Sequence, residues 1–128
     1  MSLADYINNK PTIATERLHQ KIIGDIWLYL IKNNRMASVA IRLSKEAQGK
    51  GFGTEALSAM TKFCFEHTEL KRLWTEVDVR NVASQRMLEN CGYTREGLIR
   101  QGKMVSTWCD YYIYEILASD YFNSTKSI

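Results

Sequence analysis

Gln48-Gly49-Lys50-Gly51-Phe52-Gly53 places three glycines at alternate positions directly before Thr54, where a helical pattern begins. A helix N-terminus leaves backbone N–H groups unpaired and carries partial positive charge, so it holds a phosphate group well. Glycines at 49, 51 and 53 let the backbone approach an anion without a side chain in the way. Two better-known phosphate loops do not fit. A dinucleotide loop would need a third glycine where Thr54 stands, and no acidic residue ends a second parallel strand at the expected place. An NTPase loop needs Gly-Lys followed by Ser or Thr, whereas Gly51 follows Lys50. The plain alternative is that three glycines make a sharp turn.

A second group of residues starts at Asn81-Val82-Ala83-Ser84 and continues through Met87-Leu88-Glu89-Asn90-Cys91-Gly92-Tyr93. An asparagine at a strand end can cap the helix that follows and still present its amide to a ligand, although capping alone would explain it. Upstream, Glu76 and Asp78 share one face of a strand, and Asp110 alternates with Trp108 and Tyr112. Cys64, Cys91 and Cys109 are an odd number at spacings unlike a metal site or a disulfide frame. They read as buried free thiols in a reducing compartment.

The elements that must carry these residues follow from hydrophobic period. Gly24–Ile31 reads as a strand, residues 32–35 as its hairpin turn, and Met36–Leu43 as the next strand, with Val39, Ile41 and Leu43 alternating. Thr54–Glu66 carries Ala56, Leu57, Met60, Phe63 and Cys64 at helical spacing, with Glu55 and His67 matching the helix dipole. Leu73–Val79 is a strand and Ser84–Asn90 a short helix capped by Asn81, with Gly92 as its left-handed stop. Glu96–Gln101 and Trp108–Leu117 form an antiparallel pair around Gly102-Lys103. Ahead of all this, Asp5–Asn9 suggests the tail of a helix and Thr12–Leu18 a short strand. The order is that of a mixed α/β fold, a central mixed sheet flanked by helices.

With 128 residues the chain makes one domain, and 45% hydrophobic with 24% charged residues puts it among ordinary globular proteins. A net charge of +3 without a clustered basic face argues against nucleic acid and suits a phosphate-bearing small molecule. No apolar run is long enough to cross a bilayer, and residues 1–10 lack the order of a signal peptide, which predicts a cytoplasmic protein.

Taken together, these segments resemble the GNAT superfamily of acyltransferases. Gln48-x-x-Gly51-x-Gly53 after Ile41-Arg42-Leu43 is similar to its pyrophosphate loop, and Asn81-x-x-Ser84 with Leu88 and Cys91-Gly92-Tyr93 to its second conserved block. Arg95–Arg100 and Trp108-Cys109-Asp110 are similar to the branch of ribosomal-protein N-terminal acetyltransferases. The resemblance spans about Ile22 to Leu117 and implies transfer of an acetyl group from acetyl-CoA to a primary amine, a small amine or a protein N-terminus. It implies that backbone near Ile41 and Leu43 pairs with the pantetheine arm, that amides from Gln48, Gly49, Lys50, Gly51, Phe52, Gly53 and Thr54 hold the pyrophosphate, and that Asn81 faces the pantetheine. Ser84 or Tyr93 would return a proton to the departing thiolate. Amine attack on a thioester also needs a base and a polarised carbonyl. A backbone N–H of Met36–Leu43 would supply the second. For the first, relatives often carry a glutamate where Ser38 stands, which leaves Glu76, Asp78 or Asp110 as candidates.

About twenty residues precede Lys21, fewer than the strand and two helices usual in that family. A reduced acceptor wall leaves open a coenzyme A-binding module without turnover. It also predicts a homodimer, because Ile26, Trp27, Leu28 and Tyr29 would form an apolar patch. Pairing would use that strand or Trp108–Leu117, unless Leu3–Ile13 folds back over it.

Overall fold

The structure is a computed structural model that describes residues 15–16, 21–22, 24–30, 35–45, 48–104 and 107–126. The expected helix tail at Asp5–Asn9 and the folded-back segment Leu3–Ile13 lie outside these residues. Of the strand expected at Thr12–Leu18, Thr15–Glu16 (β1) is described, and it pairs antiparallel with Lys21–Ile22 (β2).

Five longer strands form one sheet: β3 Gly24–Leu30, β4 Met36–Leu43, β5 Arg72–Asp78, β6 Thr94–Met104 and β7 Thr107–Leu117, in the order β3-β4-β5-β7-β6. All neighbours run antiparallel except β4 and β5. That parallel pair is joined by helix α1, Phe52–His67, and β5 leads into α2, Val82–Asn90. A third helix, α3 Ala118–Lys126, has no counterpart in the sequence reading; its Tyr121 hydroxyl donates to Glu66 of α1 and its ring meets Phe65 at 5.7 Å. The mixed α/β expectation therefore holds. The antiparallel pair expected around Gly102-Lys103 is present too, with strands longer than expected, because Gly102 pairs with Cys109 and Lys103 with Trp108 inside the ladder.

Period-two alternation divides the sheet into two faces. Ile26, Ala37, Val39, Leu73, Val77, Tyr114 and Ile116 turn to one side, where Leu57, Met60 and Cys64 of α1 and Leu88 of α2 complete the core. Trp27, Ser38, Trp74, Glu76, Tyr111 and Glu115 belong to the other face, as the registers Ser38↔Trp74 and Trp74↔Glu115 require. The same alternation splits the patch expected on β3. Ile26 is buried at 9% exposure and Leu28 half-buried, while Trp27 at 43% and Tyr29 at 54% remain open. Arg42 stacks over Trp27 at 4.9 Å and bonds Asp25 at 2.9 Å. Nor is Trp108–Leu117 a sheet edge, because β7 lies between β5 and β6 and its residues Tyr111–Glu115 pair with both.

Leu57 is fully buried under β4 and β5. Leu57→Ala should lower unfolding free energy by about 2–5 kcal/mol, the usual cost of lost transfer energy plus a cavity. Urea denaturation read by circular dichroism measures it.

Candidate active site

β4 and β5 are held together through only three registered pairs, Met36↔Arg72, Ala37↔Leu73 and Ser38↔Trp74, although both strands run several residues further. Past Ser38 and Trp74 they diverge. The gap forms a notch of about 240 Å³, lined by Val39, Ala40 and Ile41 from β4 and Thr75, Glu76, Val77 and Asp78 from β5. Leu57, Ser84, Met87 and Leu88 form its helix side. Backbone groups along the parted edges lack a ladder partner, so an extended ligand can supply one.

The notch opens into a groove of about 680 Å³ that shares Ile41, Asn81, Ser84 and Met87 with it and reaches Leu43, Gln48, Gly49, Gly51, Gly53 and Thr54. Ligands of parallel sheets settle outside the carboxyl ends of their strands, where this groove lies. Gly51, at φ 85°, is the N-cap of α1, and no side chain caps its first turn. The orphan N–H groups there are free for an anion. Gly49 also has a left-handed φ of 77°, and a Cβ at either position would meet nothing within 4 Å, so both glycines answer to backbone conformation. Gly53 has a different reason. A Cβ there would lie 2.8 Å from the Met87 sulfur, so this glycine lets α2 pack against the start of α1. Gln48 braces the loop by donating to the Leu43 carbonyl at 3.3 Å. Lys50 and Phe52 belong to the loop but do not line the groove.

Asn81 caps α2 as expected, its Oδ1 accepting from the Ser84 N–H at 3.1 Å. Because a backbone N–H can only donate, the oxygen is fixed toward it, and the amide NH₂ is left for the groove. Ser84 lines both notch and groove, and its hydroxyl has no bond to any described residue. Glu76 lines the notch from the opposite face of the sheet.

Three further candidates are placed elsewhere or are already engaged. Tyr93 is 3% exposed; its hydroxyl shares a 2.8 Å hydrogen bond with Thr61, and burial pushes its pKa up. Asp78 lines the notch but is clasped by Arg80, through Nε at 2.9 Å, a guanidinium NH₂ at 2.5 Å and the backbone N–H at 2.9 Å. The hydrogen bonds from Arg80 hold its carboxyl well below the usual carboxylate range. Asp110 lies outside the notch, where it accepts from the Gln101 N–H at 2.7 Å. The sequence reading missed Met87 and Thr75, which line the site as ordinary helix and strand residues. All three cysteines are free as expected, but only Cys64 is buried, Cys91 and Cys109 being half-buried; burial raises Cys64 to about 12 and Cys91 to about 11.

Comparison with known proteins gives this arrangement a family. Residues 3–94 match the family described as "Acetyltransferase (GNAT) domain". The chain is 32% identical over 103 residues to YjcK of Bacillus subtilis, named as a probable N-acetyltransferase, covering 78% of this chain and 57% of that protein. It is 26% identical to a spermidine N(1)-acetyltransferase of Vibrio cholerae, over 93% of this chain and 70% of the relative. Crystal structures of mutant forms of the Vibrio cholerae spermidine/spermine N-acetyltransferase superpose with a TM-score of 0.77 at 26% identity, covering 86% of this chain and 68% of theirs. The chain thus spans under two thirds of the Bacillus relative's length. With its matching segment, its parted parallel strands and its glycine-capped helix, the chain belongs to the GNAT acetyltransferase-domain family.

Proposed function

We propose that this protein transfers the acetyl group of acetyl-CoA to a primary amine. The observation that carries the reading is the continuity of the β4–β5 notch with the groove at the bare N-terminus of α1. One end offers unpaired strand edges to an amide-bearing arm, and the other offers free N–H groups to a diphosphate. The names of the relatives, one of which acts on spermidine, support an amine acceptor.

Bound acetyl-CoA supplies a thioester carbonyl. The residues divide the remaining work by face. Glu76 belongs to the face away from the helices, where it takes the proton of an incoming ammonium directly or through water. Ser84 lies on the helix side with a free hydroxyl, and it returns a proton to the departing thiolate. We favour it over Tyr93, whose hydroxyl is committed to Thr61 within the core. A backbone N–H of the parted β4 edge polarises the carbonyl. Asn81 orients the pantetheine arm with its spare amide.

Saturating acetyl-CoA, at about a hundred times its dissociation constant, should add about 2.7 kcal/mol of stability, read as a raised melting temperature. Gly51→Val forces a β-branched residue into a left-handed φ and should abolish most of that shift. An unmoved wild-type melting curve would reject the cofactor site. A shift without thioester consumption across a panel of amines would mean a binding module rather than an enzyme.

Ser84→Ala should lower kcat by on the order of 10²-fold with little change in coenzyme A affinity. Tyr93→Phe should keep turnover and cost about 1 kcal/mol of stability, the net worth of its hydroxyl bond to Thr61. Steady-state kinetics beside denaturation curves check both variants, and the reverse pattern would return the proton-donor role to Tyr93.

A further inference from the structure

Asn81 and Ser84 are shared by the notch and the groove, yet a residue that lines neither is bonded to the chain on both sides of them. Gln85, next to Ser84 in α2, is buried on the side turned toward the sheet. Its side-chain NH₂ donates to the Val79 carbonyl at 3.0 Å, two residues before Asn81. Its backbone N–H donates to the Asn81 carbonyl at 3.2 Å, and its Oε1 accepts from the Arg95 guanidinium at 3.0 Å. A guanidinium can only donate and a carbonyl can only accept, so the two neighbours demand the same orientation of the amide. Arg95 is itself held in place. It lies 3.8 Å over the Tyr112 ring, and its Nε donates to the hydroxyl of the fully buried Tyr114 at 3.2 Å.

A methionine has nearly the volume of a glutamine, so packing alone does not call for an amide at this buried place. The amide instead links β6, through Arg95, to the short turn that delivers Asn81 and Ser84 to the cleft. We propose that Gln85, oriented by Arg95, is a positioning residue for acyl transfer, fixing the turn between β5 and α2 so that the Ser84 hydroxyl meets the departing thiolate. This role rests on the acetyl-transfer reading and adds to it two residues outside the cleft. A reacting group misplaced by a fraction of an ångström loses rate on the order of tenfold or more.

Two substitutions separate positioning from packing. A carboxylate only accepts, so Gln85→Glu keeps and strengthens the Arg95 bond but loses the donor to Val79, whereas Gln85→Met loses both. Steady-state kinetics with acetyl-CoA and an amine that wild type uses are measured well below each melting temperature. Both variants should lower kcat by about tenfold with little change in KM for acetyl-CoA, although Gln85→Glu should keep more of the wild-type melting temperature. Combined with Ser84→Ala, neither should lower kcat further, because both act through the same hydroxyl. Hydrogen exchange of the Ser84 N–H, which donates to Asn81 Oδ1, should quicken in both. Wild-type kcat in Gln85→Glu would overturn the proposal and leave Gln85 a packing residue. So would losses that multiply with that of Ser84→Ala, or an unchanged exchange rate at Ser84. If wild type itself consumed no thioester with any amine, the acetyl-transfer reading would fail first and this role with it.

Discussion

Backbone N–H and C=O groups in a sheet need partners, and β4 and β5 stop supplying each other's after Ser38 and Trp74. Each strand is secured on its other side instead. β4 pairs with β3 from Met36's neighbour Ala37 to Leu43, and β5 pairs with β7 from Arg72 to Asp78. The two antiparallel units can follow their own twist without unravelling, and the parallel seam between them opens. Leu57 and Leu88 close the bottom of the gap, so it is a notch with a floor. Everything proposed about acyl transfer depends on this seam.

The second requirement is a rigid presentation of Asn81 and Ser84, and the chain meets it with polar contacts around the turn after β5. Asp78 and Arg80 fold that turn on itself, and the Asn81 N–H returns to the Asp78 carbonyl at 2.9 Å. Gln85, buried in α2, donates to the Val79 carbonyl at 3.0 Å while accepting from Arg95 at 3.0 Å. Arg95 lies 3.8 Å over the Tyr112 ring, and the Tyr114 hydroxyl donates to Glu89 at 2.5 Å. α2 is thereby tied to β5 at one end and to β6 and β7 along its length. At its far end Gly92, at φ 89°, lets the Tyr93 N–H reach the Leu88 carbonyl at 3.0 Å.

Asp78 and Glu76 show how neighbouring contacts separate two carboxylates that alternation places on one face. Arg80 lies two residues from Asp78 and takes up its oxygens. The Glu76 side chain has no hydrogen bond or ion pair with any described residue. Identical side-chain chemistry thus gives a structural brace in one case and a candidate base in the other.

Local chemistry made much of this legible in the residues alone. Alternation marked β4 to its ends, the helical period marked α1 to within two residues, and Asn81 and Gly92 bounded α2, because caps, turns and amphipathic faces are written in short stretches of chain. The glycine loop could be read for the same reason. Long-range pairing could not. That β7 inserts between β5 and β6, that β4 and β5 part after three pairs, that Gly53 serves Met87, and that Tyr93 points to Thr61 all depend on residues far apart in sequence. Side-chain period tells which face a residue occupies but not which strand will lie beside it. The types of residue available for the chemistry were set by the sequence; which of them meet in one cleft was decided by how the sheet assembled.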